Sequence, residues 1–233
     1  MAAGDAAVKS KNADLPMRLM SAAVMLAVSI AALVAGGIWL DIFIGAVVTV
    51  TLIEFVLLVL KATQGMATRI IAIAAGTAYI VLAGVFLTQL PTAMIVGVVG
   101  TVIAVDTFAY FFGRTIGGPK IAPAISPSKT WAGLLGGIVG ASSWLAIFIY
   151  FAARQISGAN TLGFEPAEIG MIVGIGAVLA TAAQAGDFLE SWLKRKAGVK
   201  DSSNLIPGHG GFFDRTDGMI PVALIAGAVL GGA

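Results

Sequence analysis

The charged residues of this chain are concentrated in one segment, residues 186–218. It holds ten charged side chains and the only histidine, in a chain of 233 residues of which 11% are charged. Asp187, Glu190 and Lys194 are spaced so that a helix would place them on one face. Carboxylates beside lysine and arginine side chains suit a hard divalent cation held between protein and phosphate oxygens. The segment therefore predicts a site for phosphate chemistry.

A glycine-rich turn follows the predicted helix, at residues 207–211 (Pro-Gly-His-Gly-Gly). Glycines let backbone N–H groups come close to a phosphate. Asp214 and Asp217 come next and flank Arg215. An ordinary cytoplasmic flank explains a run of basic residues, but it leaves these carboxylates beside apolar spans unexplained.

A second group of polar residues lies at positions 106–133. Asp106 falls inside an apolar run, and Ser126, Lys129 and Thr130 precede another. Hydroxyls just before a helix are common at helix starts, so this pattern alone is a weak indication of a site. An aspartate within a span also has a packing explanation, as the partner of a neighbouring helix.

Long apolar segments must carry these residues. The chain is 58% hydrophobic, and its 11% of charged residues compares with about 25% in soluble domains. Several apolar runs approach the roughly 20 residues that a helix needs to cross a bilayer. Because the runs are continuous rather than alternating, they favour helices over barrel strands. The predicted fold is an all-α, polytopic transmembrane bundle with about seven spans, at residues 17–35, 38–60, 69–89, 93–113, 132–153, 168–186 and 212–233.

The basic residues are distributed unevenly between the connections. Of the 14 lysines and arginines, 13 fall on one side of this topology and only Arg154 on the other. Positive charge stays cytoplasmic, so the N-terminus is expected inside the cell. We expect residues 1–16 to form a cytoplasmic arm and residues 17–233 a single membrane-embedded catalytic domain, with the first span retained rather than cleaved.

Taken together, these motifs resemble the CdsA-type phosphatidate cytidylyltransferases. The resemblance covers the whole chain in topology and is most specific over residues 186–217. Asp106, the Ser126-Pro127 pair and the Lys129-Thr130-Trp131 triplet are similar to the family's earlier motif. The matching residues of the later motif are Gly186-Asp187, Glu190, Ser191, Lys194-Arg195, Lys200-Asp201, Pro207-Gly208-His209-Gly210-Gly211, Asp214-Arg215 and Asp217.

The resemblance implies a reaction between CTP and phosphatidic acid that yields CDP-diacylglycerol and pyrophosphate with the help of a divalent cation. Oxygen ligands favour Mg²⁺ as this cation, with Mn²⁺ as a substitute. The resemblance also implies Asp187 and Asp214 as metal ligands. The candidate catalytic residues are Lys194, Arg195, Lys200, Asp201, His209, Arg215 and Asp217. The candidate substrate-binding residues are Asp106, Ser126, Lys129, Thr130, Glu190, Gly208, Gly210 and Gly211.

The same reasoning gives expectations about location and partners. We expect a multi-pass protein of the bacterial cytoplasmic (inner) membrane whose active site faces the cytoplasm. We expect no nucleic-acid partner. Glycine pairs such as Gly170 and Gly174 let helices approach closely and would permit a homodimer.

Three alternatives stay open at this point. One is a CTP transferase for another lipid phosphate, such as an ether lipid. Another is an ion-coupled transporter that uses Asp106 and Asp187 as ion sites; it would favour internal repeats and carboxylates near the middle of the bilayer. No repeat is visible, and the polar residues cluster at predicted cytoplasmic ends. The third, a structural membrane protein, leaves the 186–217 segment unexplained.

Overall fold

Helices dominate the structure, a computed structural model that describes residues 2–157 and 163–231. Side chains are described for residues 15–155 and 163–231. The long helices are α1 (Ala2–Ala35), α2 (Gly37–Ala62), α3 (Met66–Gln89), α4 (Thr92–Thr115), α5 (Trp131–Ser157) and α6 (Pro166–Ala197).

All six long helices meet the length and hydropathy expected of membrane spans, judged over the described residues. In α1 the apolar part is Leu15–Ala35, while the backbone of residues 2–14 continues the same helix. The prediction of an all-α, polytopic membrane protein is confirmed. The orientation of the termini stays a prediction.

The final predicted span, residues 212–233, has a different form. It contains a four-residue helix, α7 (Phe213–Thr216), and a 12-residue apolar helix, α8 (Met219–Leu230). Twelve residues extend about 18 Å, which is shorter than about 30 Å of hydrocarbon. The last two residues of the predicted span lie outside the described part of the chain.

The other departures concern the polar segments. Helix α6 runs 11 residues past the predicted end at residue 186, so it includes Asp187, Glu190 and Lys194. Ahead of α5, strands β1 (Lys120–Ala122) and β2 (Ser126–Thr130) form an antiparallel hairpin in which Lys120 pairs with Thr130. The prediction had placed only a helix start there.

The chain divides into two compact units. The first contains Met1–Val81 and Leu193–Thr216, and the second contains Leu82–Trp192 and Asp217–Ala233. In the first unit, the Phe55 ring on α2 meets the edge of Phe213 on α7, with centroids 5.8 Å apart. Gly76 on α3 lies against the same Phe55 ring, and an added Cβ there would overlap it. The expectation of a single membrane domain stays a prediction.

The second unit is built on the close packing of α4 against α5. Gly136 and Gly140 of α5 lie against the backbone of α4, where an added Cβ would come within 2.6 and 2.5 Å of the carbonyl oxygens of Phe108 and Ala104. The Trp144 indole donates a hydrogen bond of 2.9 Å to the Gly97 carbonyl oxygen across the same interface. Small residues thus bring these two helices together, as small-residue pairs do in membrane proteins.

Candidate active site

Asp214, in the first turn of α7, is the centre of the polar cluster in the first unit. Its Oδ1 accepts a hydrogen bond of 2.6 Å from the Lys194 ammonium. Its Oδ2 accepts from the Ser202 N–H at 2.8 Å, the Ser202 hydroxyl at 2.7 Å and the Gly211 N–H at 2.8 Å. The side chains of Lys194 and Asp214 are only 15% and 9% exposed. Asp214 is therefore held in one orientation by a buried ion pair and by the loop before it.

The glycine-rich turn has a conformation that its sequence dictates. His209 N–H donates to the Ile206 carbonyl oxygen at 2.9 Å, closing a four-residue turn with Pro207 and Gly208 in its middle. Gly208 has φ +75°, as the third position of a type II turn requires, and proline suits the second. The Ile206 N–H then donates to the Gly210 carbonyl oxygen at 2.8 Å. The turn is fixed by its own hydrogen bonds.

The neighbouring glycines are needed because acidic side chains crowd them. Gly210 has φ +84°, and a Cβ there would come within 2.9 Å of Asp214 Oδ2. A Cβ on Gly211 would overlap Ser202 and Glu54. The Gly211 N–H was expected to be available to a phosphate, but in this structure it donates to Asp214.

His209 is oriented by helix α1. Its Nδ1 lies 2.8 Å from the Ser21 hydroxyl, which is also within hydrogen-bonding distance of the Pro207 and Arg18 carbonyl oxygens. Ser21 has a single hydroxyl proton to donate. If Ser21 donates its hydroxyl proton to a carbonyl oxygen, Nδ1 of a neutral His209 ring carries the ring proton and Nε2 is an acceptor. If Ser21 donates to Nδ1 instead, the ring proton lies on Nε2, which is then a donor. The Ser21 contact thus sets which role the outer ring nitrogen takes.

Glu54 is a residue that the sequence analysis missed. It lies on α2 and is 3% exposed. Its carboxylate accepts hydrogen bonds from the residues around the glycine-rich turn, including the Ser203 hydroxyl at 2.6 Å. The signal was present, because a carboxylate within a predicted span is costly and indicates a function.

The polar cluster of the second unit is centred on Lys129 and Asp187. The Lys129 ammonium, on β2, forms an ion pair with the Asp187 carboxylate on α6. Burial by itself would lower the pKa of Lys129, but the charge and hydrogen bond of Asp187, with the charges of Asp106 and Asp217, raise it above its ordinary value. The hairpin therefore brings a firmly charged lysine to the α6 carboxylate. The structure groups these four predicted site residues together.

Asp217 completes this second cluster. Burial, followed by the charges of Asp187 and Glu190, raises the pKa of Asp217 well above its ordinary value. The Gly218 N–H donates to Asp217 Oδ1 at 2.9 Å. Gly186 leaves room for the Asp217 carbonyl oxygen, which an added Cβ would overlap. The Gly186-Asp187 and Asp217-Gly218 pairs thus pack against each other.

The remaining predicted site residues fall into two groups. Some are buried in the frame of the second unit: Thr130 is 2% exposed and its hydroxyl caps α5 by accepting the Gly133 N–H at 3.0 Å, while Ser126 is 8% and Glu190 2% exposed. Others are exposed. They are Arg195, Lys200, Asp201, Gly208 and Arg215, and Asp106 of the second cluster is exposed as well.

The donor set was tested for its fit to Mg²⁺. Among the residues whose side chains are described, no three acidic or histidine side chains form a group that would hold a metal ion by themselves. Mg²⁺ is usually bound by one or two carboxylates together with waters and substrate oxygens. Asp187 in the second unit and Asp214 in the first are oxygen donors of this kind, each beside a lysine. Each unit therefore contains one carboxylate of the kind that Mg²⁺ takes as a ligand.

The fold and its polar clusters define the class of protein. It is a polytopic helical membrane protein in which Lys129 and Lys194 form partly buried ion pairs with Asp187 and Asp214. The sequence model of the Cytidylyltransferase family matches residues 88–231. This chain belongs to that family.

Individual relatives point the same way. A protein named phosphatidate cytidylyltransferase in Brucella abortus biovar 1 (strain 9-941) is 40% identical to this chain, over 56% of this chain and 44% of the relative. A protein of the same name in Haemophilus influenzae is 44% identical, over 50% of this chain and 38% of the relative. A protein of the same name in Rickettsia bellii is 41% identical, over 52% of this chain and 51% of the relative. The chain spans about half the length of these curated relatives, or less.

Proposed function

We propose that this protein is a phosphatidate cytidylyltransferase, which makes CDP-diacylglycerol and pyrophosphate from CTP and phosphatidic acid. The single observation that carries the proposal is that both lysine–carboxylate pairs fall on motif residues within the matched segment. The relatives that carry this name support the choice of substrates. No nucleic-acid partner is part of the proposal, and a homodimer stays a prediction.

The proposed reaction is one nucleotidyl transfer. A phosphate oxygen of phosphatidic acid attacks the α-phosphorus of CTP and forms the new P–O bond. The bond from the α-phosphorus to the oxygen that bridges to the β-phosphorus breaks, and its electron pair leaves with pyrophosphate. Because the attacking phosphate is already anionic, no strong base is needed, and catalysis consists mainly of positioning and charge stabilisation.

The basic residues supply the charge stabilisation in this proposal. Lys194, held beside Asp214, and the exposed Arg195, Lys200 and Arg215 would neutralise phosphate oxygens. His209 would donate to or accept from a phosphate or a bound water through Nε2, according to the proton on Ser21.

A divalent cation is part of the proposal. Asp187 in the second unit and Asp214 in the first are the proposed carboxylate ligands, and a bound cation would add the electrostatic stabilisation that phosphate transfer needs. Mg²⁺ is favoured by oxygen ligands, and Mn²⁺ is a plausible substitute. Lys129 and Lys194 would keep the two carboxylates oriented.

The cytoplasmic membrane of a bacterium is the proposed location. The relatives are bacterial, and the 13-to-1 distribution of basic residues supports a cytoplasmic N-terminus. This orientation gives the glycine-rich segment access to cytosolic CTP.

The direct test uses purified protein in detergent with labelled CTP and phosphatidic acid. We expect labelled CDP-diacylglycerol and an equal amount of pyrophosphate. An ether-lipid phosphate and CTP without lipid are run in parallel. If the protein preferred the ether lipid, that lipid would take the place of phosphatidic acid as the proposed substrate. If no cytidylyl group were transferred to any lipid phosphate, the proposed function would be refuted.

A further inference from the structure

A carboxylate inside a membrane span needs an explanation, and Glu54 is such a carboxylate. It lies eight residues before the C-terminal end of α2, about 12 Å along the helix. It is 3% exposed. Ionisable groups at such positions are costly and usually serve a function. We infer that Glu54 is a positioning residue that holds the 201–213 loop, and through it Asp214, in place.

Hydrogen bonds to this loop are the first support for the inference. Glu54 Oε1 accepts from the Ser203 hydroxyl at 2.6 Å. Its Oε2 accepts from the Phe213 N–H at 2.8 Å and the Ser202 hydroxyl at 3.1 Å. Three donors thus converge on one carboxylate, from both ends of the loop. Hydrogen bonds to a charged acceptor are stronger than neutral ones.

The connection to Asp214 is the second support. Ser202 bonds to both carboxylates, because its hydroxyl lies within hydrogen-bonding distance of Glu54 and Asp214 and its N–H donates to Asp214. Phe213, whose N–H donates to Glu54, directly precedes Asp214. Gly211 lies between the same carboxylates, where any Cβ would overlap Glu54. A displacement of Glu54 would therefore reach Asp214 by two routes.

A purely structural role for Glu54 makes a different prediction from a positioning role. A residue that only fills space on α2 would, when replaced by leucine, loosen the contacts of α2 broadly. A positioning residue would loosen the loop selectively, because its bonds are to loop residues. This inference rests on the proposed function for its kinetic readout but not for its structural one, so the two can fail separately.

Hydrogen–deuterium exchange of the purified full-length protein provides the structural readout. We expect Glu54→Leu to accelerate exchange of peptides covering 202–213 by on the order of tenfold, because the Phe213 N–H loses its acceptor. Glu54→Gln should stay much closer to wild type, since one amide oxygen still accepts the Phe213 N–H. Asp41→Leu, which removes the other carboxylate of α2, should leave the loop unchanged.

Kinetics with CTP and phosphatidic acid provide the second readout. Glu54→Leu should raise the KM for CTP and lower kcat, each by on the order of tenfold, while the KM for phosphatidic acid changes by less than about twofold. In Glu54→Gln, kcat and the KM for CTP should both stay close to their wild-type values. A wild-type protein without transferase activity but with the expected exchange pattern would refute the proposed function and still support the positioning role.

Several results would overturn the inference. Unchanged loop exchange in Glu54→Leu would remove the role, and so would equal acceleration throughout the protein. If loop exchange and kinetics were as impaired in Glu54→Gln as in Glu54→Leu, the negative charge of Glu54, rather than its hydrogen bonds to the loop, would be what matters. Should Glu54→Leu fail to fold, Ser203→Ala decides the question: it deletes one bond to Glu54, so loop exchange should rise by roughly threefold, and no rise would refute the inference.

Discussion

The Lys194–Asp214 pair allows stability and catalysis to be separated by experiment. Asp214→Asn keeps an oxygen for the Ser202 and Gly211 donors but turns an N–H group toward the Lys194 ammonium and removes the negative charge opposite it. Lys194→Met leaves the Asp214 carboxylate with the donors from Ser202 and Gly211. The double variant removes both charges. We expect the double variant to be more stable than Asp214→Asn and equally inactive.

The magnitudes follow from the burial of the pair. Breaking a buried ion pair by removing one partner costs about 3–5 kcal/mol, and side-chain exposures of 15% and 9% place this pair near the lower end. A loss of about 3 kcal/mol lowers the transition temperature by about 6–12 °C at this chain length. Removing the second charge should restore at least about 1 kcal/mol. Turnover should stay on the order of 10³-fold below wild type.

Thermal unfolding in detergent and CDP-diacylglycerol formation are the two measurements, with Asp41→Asn as the matched control. A double variant no more stable than Asp214→Asn would show that the ion pair is not a coupled unit. A double variant that regained activity would refute Asp214 as a catalytic carboxylate and reduce its role to balancing Lys194.

Three further outcomes test the proposed chemistry and orientation. Asp187→Asn should lower turnover on the order of 10³-fold while the protein still inserts into the membrane, and retention of more than about a tenth of activity would refute its role. Exhaustive chelation should stop the reaction and Mg²⁺ should restore it; persistent activity would exclude the metal-assisted reaction. In this cysteine-free chain, cysteines at Ser128 and Asn204 should resist an impermeant thiol reagent in intact cells and one at Gly163 should react, whereas reversed labelling would overturn the orientation.

The sequence predicted the positions of the long helices well because each apolar run contains about 20 residues, so no single residue decides the prediction. The run at 93–113 became α4 (Thr92–Thr115). The motif spacing also selected Asp187 and Asp214, which pair with lysines in the structure. This spacing rule holds even though the end of α6 was misplaced, because residues three and four apart are neighbours at any position along a helix.

Features that depend on tertiary contacts escaped prediction. The β1–β2 hairpin has a three-residue strand, too short for an alternating pattern to be visible. Thr130 caps α5, which is the helix-start alternative that the sequence left open, and its role in substrate binding stays a prediction. Glu54 is 148 residues from Ser202, so no local pattern joins them. Only the cost of a carboxylate in an apolar helix marked it out.

The two metal-ligand candidates are positioned by different means, and this has a consequence for the proposed reaction. Asp187 lies within the 32-residue helix α6 and faces Lys129, so its orientation follows from a rigid element. Asp214 is the second residue of the four-residue helix α7, which follows a loop, and its orientation depends on hydrogen bonds from Ser202 and Gly211. A reaction that relies on positioning rather than a strong base is sensitive to small displacements. Substitutions in the loop should therefore impair the role of Asp214 while leaving the Lys129–Asp187 pair intact.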